Sequence, residues 1–340
     1  MSPGCSTAPT DPGTHLDRLY DQAAESWIPL GVMIEVNHAC HLACVQCYIG
    51  KDPGERPLTA DELRRAMDEL AAEGTLFLTI TGGEIFLRKD LLEILGHARR
   101  LGFVLTLFTT GTLLSPEVAD RVAALHPHAV EITLYSVTPG IHEAVTRRPG
   151  SHARTMNGVA LLRDRGVSVI VKAPIMTVNA GEHLGVKAFA DSVGAEHRFD
   201  LTVAPRRDGD ATPMGYQLAA ERVAQLGRDP ILGALAGPKE ARAPEAAPCG
   251  AGRWGCDISP SGEVYPCLSF PYGASAGSLR DESFHEIWHH SPLMRRVRAL
   301  TVGDLERASG GCDHGGGECT RCLGFVLTLH GDPFRLGSRA

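Results

Sequence analysis

The sequence predicts an α/β fold: an open, partial (β/α)6 barrel of the TIM type, followed by a small cysteine-rich domain of β-hairpin and helix. Two observations predict it. Six apolar, β-branched runs alternate with amphipathic segments across residues 30–204, and six of the ten cysteines fall after residue 248. Helices placed between near-continuous apolar strands cover both faces of a parallel sheet. Six βα units are too few to close an eight-stranded barrel, so the sheet is expected to stay open, with active residues on loops at the strands' C-terminal ends.

The strands are read at LGVMIEV (30–36), TLFLTIT (75–81), FVLTLFTT (103–110), AVEITLY (129–135), VSVIVKAPI (167–175) and EHRFDLTVA (196–204). Between them, TADELRRAMDELAAEG (59–74) has Thr59 as cap, Glu62 to complete a capping box and Gly74 as stop. SPEVADRVAAL (115–125) places Ser115 at the cap and Pro116 in the first turn, where its missing N–H costs nothing. Residues 205–248 turn Pro-, Ala- and Gly-rich around one weak helix at 217–227, which reads as a linker. CDISPSGEVYPC (256–267) then reads as a hairpin turning at Pro260–Gly262. The expected division is an N-terminal extension (1–29), the barrel (30–204), a bridging segment (205–248) and the cysteine-rich domain (249–340).

Composition bounds the function. The 340 residues are 43% hydrophobic and 21% charged, as in ordinary globular proteins, and the formal charge of −7 argues against nucleic-acid and membrane-surface binding. No apolar segment opens the chain and no run of about 18 apolar residues occurs, so a cytoplasmic location is expected. In a reducing compartment, clustered cysteines point to metal ligands in preference to disulfides.

Three of them, Cys40, Cys44 and Cys47, stand in NHACHLACVQCYIG (37–50) at spacing Cys-x3-Cys-x2-Cys. A structural zinc needs four ligands, which His38 or His41 completes as a Cys3His site. A [4Fe–4S] cluster on three thiolates instead leaves one iron open to substrate or cofactor. Spacing alone leaves both readings standing.

The triplet followed by the aromatic Tyr48 resembles the signature of radical S-adenosylmethionine (SAM) enzymes, and the resemblance runs on in order. TITGGEIFLRKDLLEIL (79–95) resembles the family's Gly-Gly-Glu motif, with Ile85 in place of the usual proline. FTTGTLL (108–114) resembles its T-N-G-x-x-L strand end, with Thr110 in place of asparagine. EITLYSVTPGIHEAVTRRPGS (131–151) resembles the segment that carries a strand-end serine and a later arginine. The resemblance implies a SAM-binding [4Fe–4S] cluster on Cys40, Cys44 and Cys47. It implies SAM contacts from Tyr48, Gly82, Gly83, Glu84, Thr109, Thr133, Ser136, Arg147 (or Arg148) and Lys172. Lys172 draws attention on its own account, because a lysine within an apolar strand needs a partner. The implied chemistry is reductive cleavage of SAM to a 5′-deoxyadenosyl radical, followed by hydrogen-atom abstraction.

The later cysteines are Cys249, Cys256, Cys267, Cys312, Cys319 and Cys322. With GSLRDESFHEIW (277–288), whose Phe284, Ile287 and Trp288 fall on one helical face, they resemble the SPASM/Twitch extension, which holds auxiliary [4Fe–4S] clusters. Six thiols ligate one cluster fully and leave two over, so at least one auxiliary cluster is implied; a structural zinc ribbon is the plainer alternative. His314 beside Gly315–Gly317 offers a nitrogen ligand or a solvated loop, and His289 and His290 read as an exposed helix end.

The SPASM/Twitch resemblance implies a peptide substrate, oxidised or crosslinked, as in ribosomally synthesised natural products. With 29 residues ahead of the first strand, such a peptide is expected to meet the barrel directly or to be presented by a separate leader-binding protein. An external low-potential donor such as flavodoxin or ferredoxin is implied. The alternatives are a small-molecule dehydrogenase or cofactor-biosynthetic enzyme acting on an aminocyclitol- or tetrapyrrole-type substrate, and a non-catalytic zinc or iron–sulfur module. No residue is singled out as a catalytic base; Glu182, Asp200, Asp208 and Asp210 are candidates by position.

Overall fold

The computed structural model describes residues 15–51, 56–236, 243–308 and 322–331. The expectations for Cys312, Cys319, His314 and Gly315–Gly317 lie outside the described residues.

All six expected strands form. β1 (Gly31–Glu35), β2 (Phe77–Thr81), β3 (Val104–Thr109), β4 (Ala129–Thr133), β5 (Val169–Pro174) and β6 (Glu196–Asp200) pair in parallel, each with its sequence neighbour. The helices between them cover the sheet. In the helix Ala60–Ala72 the capping box is complete, Thr59 Oγ1 accepting from the Glu62 N–H and Glu62 reaching back to the Thr59 N–H, while Leu63, Met67 and Leu70 are buried. Ser115 caps the helix Pro116–Ala124 through the Val118 N–H at 3.2 Å.

The hairpin also forms, as β7 (Gly255–Ile258) and β8 (Glu263–Tyr265), with β9 (Gly277–Ser278) antiparallel to β8. Its placement was not visible from the sequence. β7 pairs in parallel with the free edge of β1, Gly31 opposite Gly255 and Ile34 opposite Ile258, so the hairpin extends the barrel's own sheet. The order is β6-β5-β4-β3-β2-β1-β7-β8-β9, and the sheet is not closed.

Two further findings concern the N-terminal extension and the bridging segment. Residues His15–Ser26 form a helix whose Tyr20 packs edge-on against Trp254, ring centroids 4.6 Å apart, and stacks near Phe77 of β2. Its mostly polar composition hid it. The bridging segment holds its one expected helix as Ala220–Leu226, and adds a short 3-10 helix (Thr212–Tyr216) and a single helical turn, Gly233–Ala236. Beyond the hairpin, Phe284, Ile287 and Trp288 of the helix Phe284–His290 join the main core as their shared face predicts. Among the described residues, no helix is long and apolar enough to cross a membrane.

One close approach fixes the wall of the barrel. Gly158 lies within the helix Ser151–Arg163, and a Cβ there would stand 2.2 Å from the Gly111 carbonyl oxygen in the loop after β3. Alanine at an exposed helix position gains about 1 kcal/mol over glycine, but forcing a methyl into a filled space costs about 1–3 kcal/mol. Gly158→Ala is therefore expected to lower the melting temperature. Gly140→Ala, in the helix Pro139–Thr146 with nothing within 4 Å of the new methyl, is expected not to; calorimetry of the two variants checks the contrast.

Candidate functional site

Because β1–β6 run in parallel, their C-terminal ends share one rim, and the loops leaving them bring the sequence motifs together. The cysteine loop leaves β1. Its Ala43 and Val45 N–H groups donate to the carbonyls of Thr146 and Val145, both at 3.0 Å, and Val45 packs with Tyr135, Val145, Met176 and Val203. The Gly82–Glu84 loop leaves β2 and lies flush against it: the Gly83 N–H donates to the Asn37 carbonyl and the Glu84 N–H to that of Ala39, both at 2.8 Å. A Cβ at Gly82 or Gly83 would come within 2.2 Å of those same carbonyl oxygens, and Gly82 has φ +135°. Both glycines are thus required for the two motifs to touch.

Glu84 is fully buried, and its carboxylate is engaged by the end of β3. One oxygen accepts from Thr109 Oγ1 (2.8 Å) and the Phe86 N–H (3.1 Å), the other from the Thr110 N–H (2.9 Å) and the Thr110 hydroxyl. Thr110, which stands where the family motif has asparagine, therefore ties the first three strand ends together.

The three thiols suit a cluster better than a zinc ion. Zinc–sulfur bonds of about 2.3 Å place tetrahedral ligands ~3.8 Å apart. Among the described residues, no three cysteines have their sulfurs all within 4.8 Å of one another. Neither histidine offered as a fourth ligand faces the thiols alone: His38 Nε2 lies 3.4 Å from Glu35 and His41 Nε2 is 2.7 Å from Thr112 Oγ1. Burial pushes the Cys44 thiol up to about 12 and raises Cys40 and Cys47 as well, so a cationic centre is needed to hold them as thiolates at neutral pH.

The other expected SAM contacts are dispersed along the rim. Tyr48 donates to Glu35 Oε1 at 3.3 Å. Thr133 is half-buried beside Lys172 in register. The buried Ser136 hydroxyl donates to Glu182 and accepts the Thr138 N–H at 2.8 Å. Arg147 is exposed and caps the helix Pro139–Thr146 with a left-handed φ of 53°; it is Arg148 and Arg154, with burial the larger cause, that depress the pKa of His41. Lys172 has the partner its position demands. Its Nζ is 3.2 Å from the buried Glu131 of β4 and 3.5 Å above the Phe108 ring, while Arg198 of β6 meets the other Glu131 oxygen at 2.6 Å. Burial lowers the Lys172 pKa against the pull of Glu131. Of the candidate bases, Asp200, Asp208 and Asp210 accept backbone N–H groups of their own loops.

A buried ion cluster at the same rim was missed. Arg207, 2% exposed, reaches Glu35 of β1 at 2.6 Å and Asp257 of β7 at 3.1 Å, both carboxylates fully buried. Its Nε donates to the Phe270 carbonyl (2.8 Å), its own N–H to that of Tyr48 (3.0 Å), and its guanidinium lies between the rings of Tyr265 and Tyr272. One residue thus joins the cysteine loop, through its main chain, and β1 and the C-terminal hairpin, through its side chain. Burial alone would raise the Glu35 pKa, but the His38 hydrogen bond and the Arg207 charge hold it low; burial and the Glu35 charge push Asp257 well up. The signal was present in the sequence, since Glu35 and Asp257 each interrupt an apolar strand as Lys172 does.

In the C-terminal region, Cys249 and Cys267 pack at a patch formed by Ala251, Tyr265, Phe270 and Leu323, and Cys322 caps the helix Leu323–His330 against it. Cys256 is set apart from these three. It is 4% exposed in the main core on the strand face opposite Asp257, and burial raises its thiol well above the usual range. Its side chain packs there among apolar neighbours.

Comparison with known proteins follows the same division. Residues 34–183 match the model of the radical SAM superfamily and residues 249–323 that of an iron–sulfur cluster-binding domain, SPASM. The chain is 31% identical over 334 residues to the PqqA peptide cyclase of Xanthomonas campestris pv. campestris, covering 89% of this chain and 84% of that protein. It is 31% identical over 289 residues to the antilisterial bacteriocin subtilosin biosynthesis protein AlbA of Bacillus subtilis, covering 79% of this chain; it spans 61% of that relative's length. Its fold is similar to that of Streptococcus suis SuiB, solved bound to the precursor peptide SuiA, with a TM-score of 0.68 at 16% identity over 84% of this chain and 71% of that one.

The ion cluster makes a prediction with opposite outcomes at its two members. Arg207→Leu strands two buried carboxylates and is expected to cost about 3–5 kcal/mol. Asp257, with its pKa raised, holds its proton more tightly folded than unfolded, so its ionisation weakens the fold as pH rises above about 4. Asp257→Asn removes that loss and is expected to melt no lower than the parent at pH 7. Anaerobic melting curves across pH check both.

Proposed function

The chain belongs to the radical SAM superfamily, and from that premise we propose that it is a peptide-modifying enzyme that cleaves S-adenosylmethionine reductively and abstracts a hydrogen atom from a peptide substrate. The observation that carries the reading is the edge-to-edge contact of the cysteine loop with the Gly82–Glu84 loop, which unites two distant motifs in one site. Cys40, Cys44 and Cys47 are the residues to hold a [4Fe–4S] cluster. Bound there with SAM, it supplies one-electron cleavage of the sulfonium, given an external low-potential donor of the flavodoxin or ferredoxin kind.

The protein's own part is positioning. Glu84 holds the rim by tying β2 to β3, and leaves the backbone of Gly82 and Gly83 to face the cofactor. Lys172, backed by Glu131 and Arg198, sets a positive charge inside the barrel toward carboxylate groups of cofactor or peptide. Arg207 closes the rim between the cysteine loop and the hairpin, where it excludes water from the radical site. Cys249, Cys267 and Cys322, with Cys312 and Cys319, are the thiols for at least one auxiliary [4Fe–4S] cluster. That second electron-accepting centre supports an oxidoreductase class and net oxidation or crosslinking of the substrate. A ribosomally made peptide is the substrate class favoured by the names of the two relatives, one a peptide cyclase and the other a bacteriocin biosynthesis protein.

The test is 5′-deoxyadenosine formation by the reduced, cluster-reconstituted enzyme, with mass spectrometry of candidate precursor peptides. Cys40→Ala, Cys44→Ala and Cys47→Ala are each expected to reduce SAM cleavage to background. Cys267→Ala and Cys322→Ala are expected to spare cleavage but stop the change in peptide mass. Continued 5′-deoxyadenosine formation by the triple variant of the first loop sinks the reading.

A further inference from the structure

Away from the rim, two helices meet in a contact that the radical chemistry does not use. The helix Ala60–Ala72 ends at Glu73, just ahead of β2, which places Glu73 at the N-terminal end of the barrel. The helix Phe284–His290 lies across it and presents His285 and His289, one helical turn apart and on one face. His285 Nδ1 is 2.7 Å from one Glu73 oxygen and His289 Nε2 is 2.9 Å from the other. The three donor atoms lie within 4.8 Å of one another.

We propose that Glu73, His285 and His289 form a binding site for a divalent transition-metal ion of the zinc type. Two imidazoles and a carboxylate are a donor set that zinc takes readily, with bonds of about 2.0–2.2 Å. Tetrahedral ligands at that length stand ~3.4 Å apart, so the two observed contacts, 2.7 and 2.9 Å, need to open by roughly half an ångström or a little more to admit the ion. The fourth position is left to water. The presenting helix is fixed before any metal arrives: Ser283 caps it through the Glu286 N–H at 3.2 Å, the Phe284 N–H donates to Glu69 at 2.5 Å, and Phe284 and Trp288 are fully buried. That rigidity spares the ion the entropy of ordering two of its three ligands. His290 and Glu286 form a second grouping that shares His285 but is wholly exposed. The first grouping is favoured because Glu73 and His289 are 19% and 28% exposed and already converge. An ion there staples the C-terminal region to the barrel, at the end of the sheet remote from the thiols.

The experiment is calorimetric titration of the anaerobic, cluster-reconstituted enzyme with zinc chloride, with iron content and 5′-deoxyadenosine formation measured alongside. The wild type is expected to bind one zinc that His285→Ala and His289→Ala each weaken at least about tenfold, or 1.4 kcal/mol. The same zinc is expected to raise the melting temperature of the wild type but not of the two variants, with iron content and SAM cleavage unchanged in all three. His97→Ala, which removes a surface histidine paired with Asp68 at 2.7 Å, is expected to leave zinc binding intact. Zinc binding that is unaltered in both variants, binding lost equally in His97→Ala, or no binding by the wild type overturns the proposal. In each of those cases His285 and His289 serve only as hydrogen-bond partners of Glu73.

Discussion

The arrangement around Arg207 is the constraint on which the rest of the site depends. A guanidinium has five donors in a rigid plane and keeps its charge when buried, and here its Nε and one terminal nitrogen reach three separate partners. Each partner belongs to a different part of the chain, β1, the hairpin strand β7 and the turn after Cys267, while the residue's main-chain N–H holds the cysteine loop at Tyr48. A lysine has the charge but not the geometry to address them all. The cost of burying two carboxylates is offset only while the arginine sits between them, so the arrangement acts as a register mark: the C-terminal region either docks in one position or leaves charges unpaired. The two thiol-bearing segments are thereby held in fixed relation, which electron exchange between two metal centres requires.

The barrel was legible in the sequence because its signals are local and repeated. β-Branched runs, a full capping box at Thr59 and a proline in the first turn after Ser115 each state one element, and the parallel connection follows from their alternation. The cysteine loop and the Gly82–Glu84 loop were legible as motifs, and the structure adds the reason they act together: a side chain at either glycine would collide with the partner loop's carbonyls.

What escaped the sequence was long-range. Nothing local in GCDI says that this strand seats itself against β1, and nothing in Arg207, lying in a proline- and glycine-rich stretch, says that it is buried. Spacing also does not say that strand alternation turns Cys256 into the core. Glu35 and Asp257 show that a charge interrupting an apolar strand is as telling when acidic as Lys172 is when basic. Glu131 was needed to complete Lys172, and only strand register reveals that the two are adjacent.

The pairing of β1 with β7 also bears on how the chain reaches its native state. Of the strands in this sheet β1 leaves the ribosome before the rest, and β2 can cover one of its edges early. The other edge, from Gly31 to Ile34, waits for Gly255–Ile258, which follows all six barrel strands in the sequence. Contacts of that separation carry a large loop-closure cost and form late, and an apolar strand with an open edge invites pairing with other chains in the meantime. Overproduction is therefore expected to strain solubility at this edge first, and the barrel segment made alone inherits the exposed edge permanently.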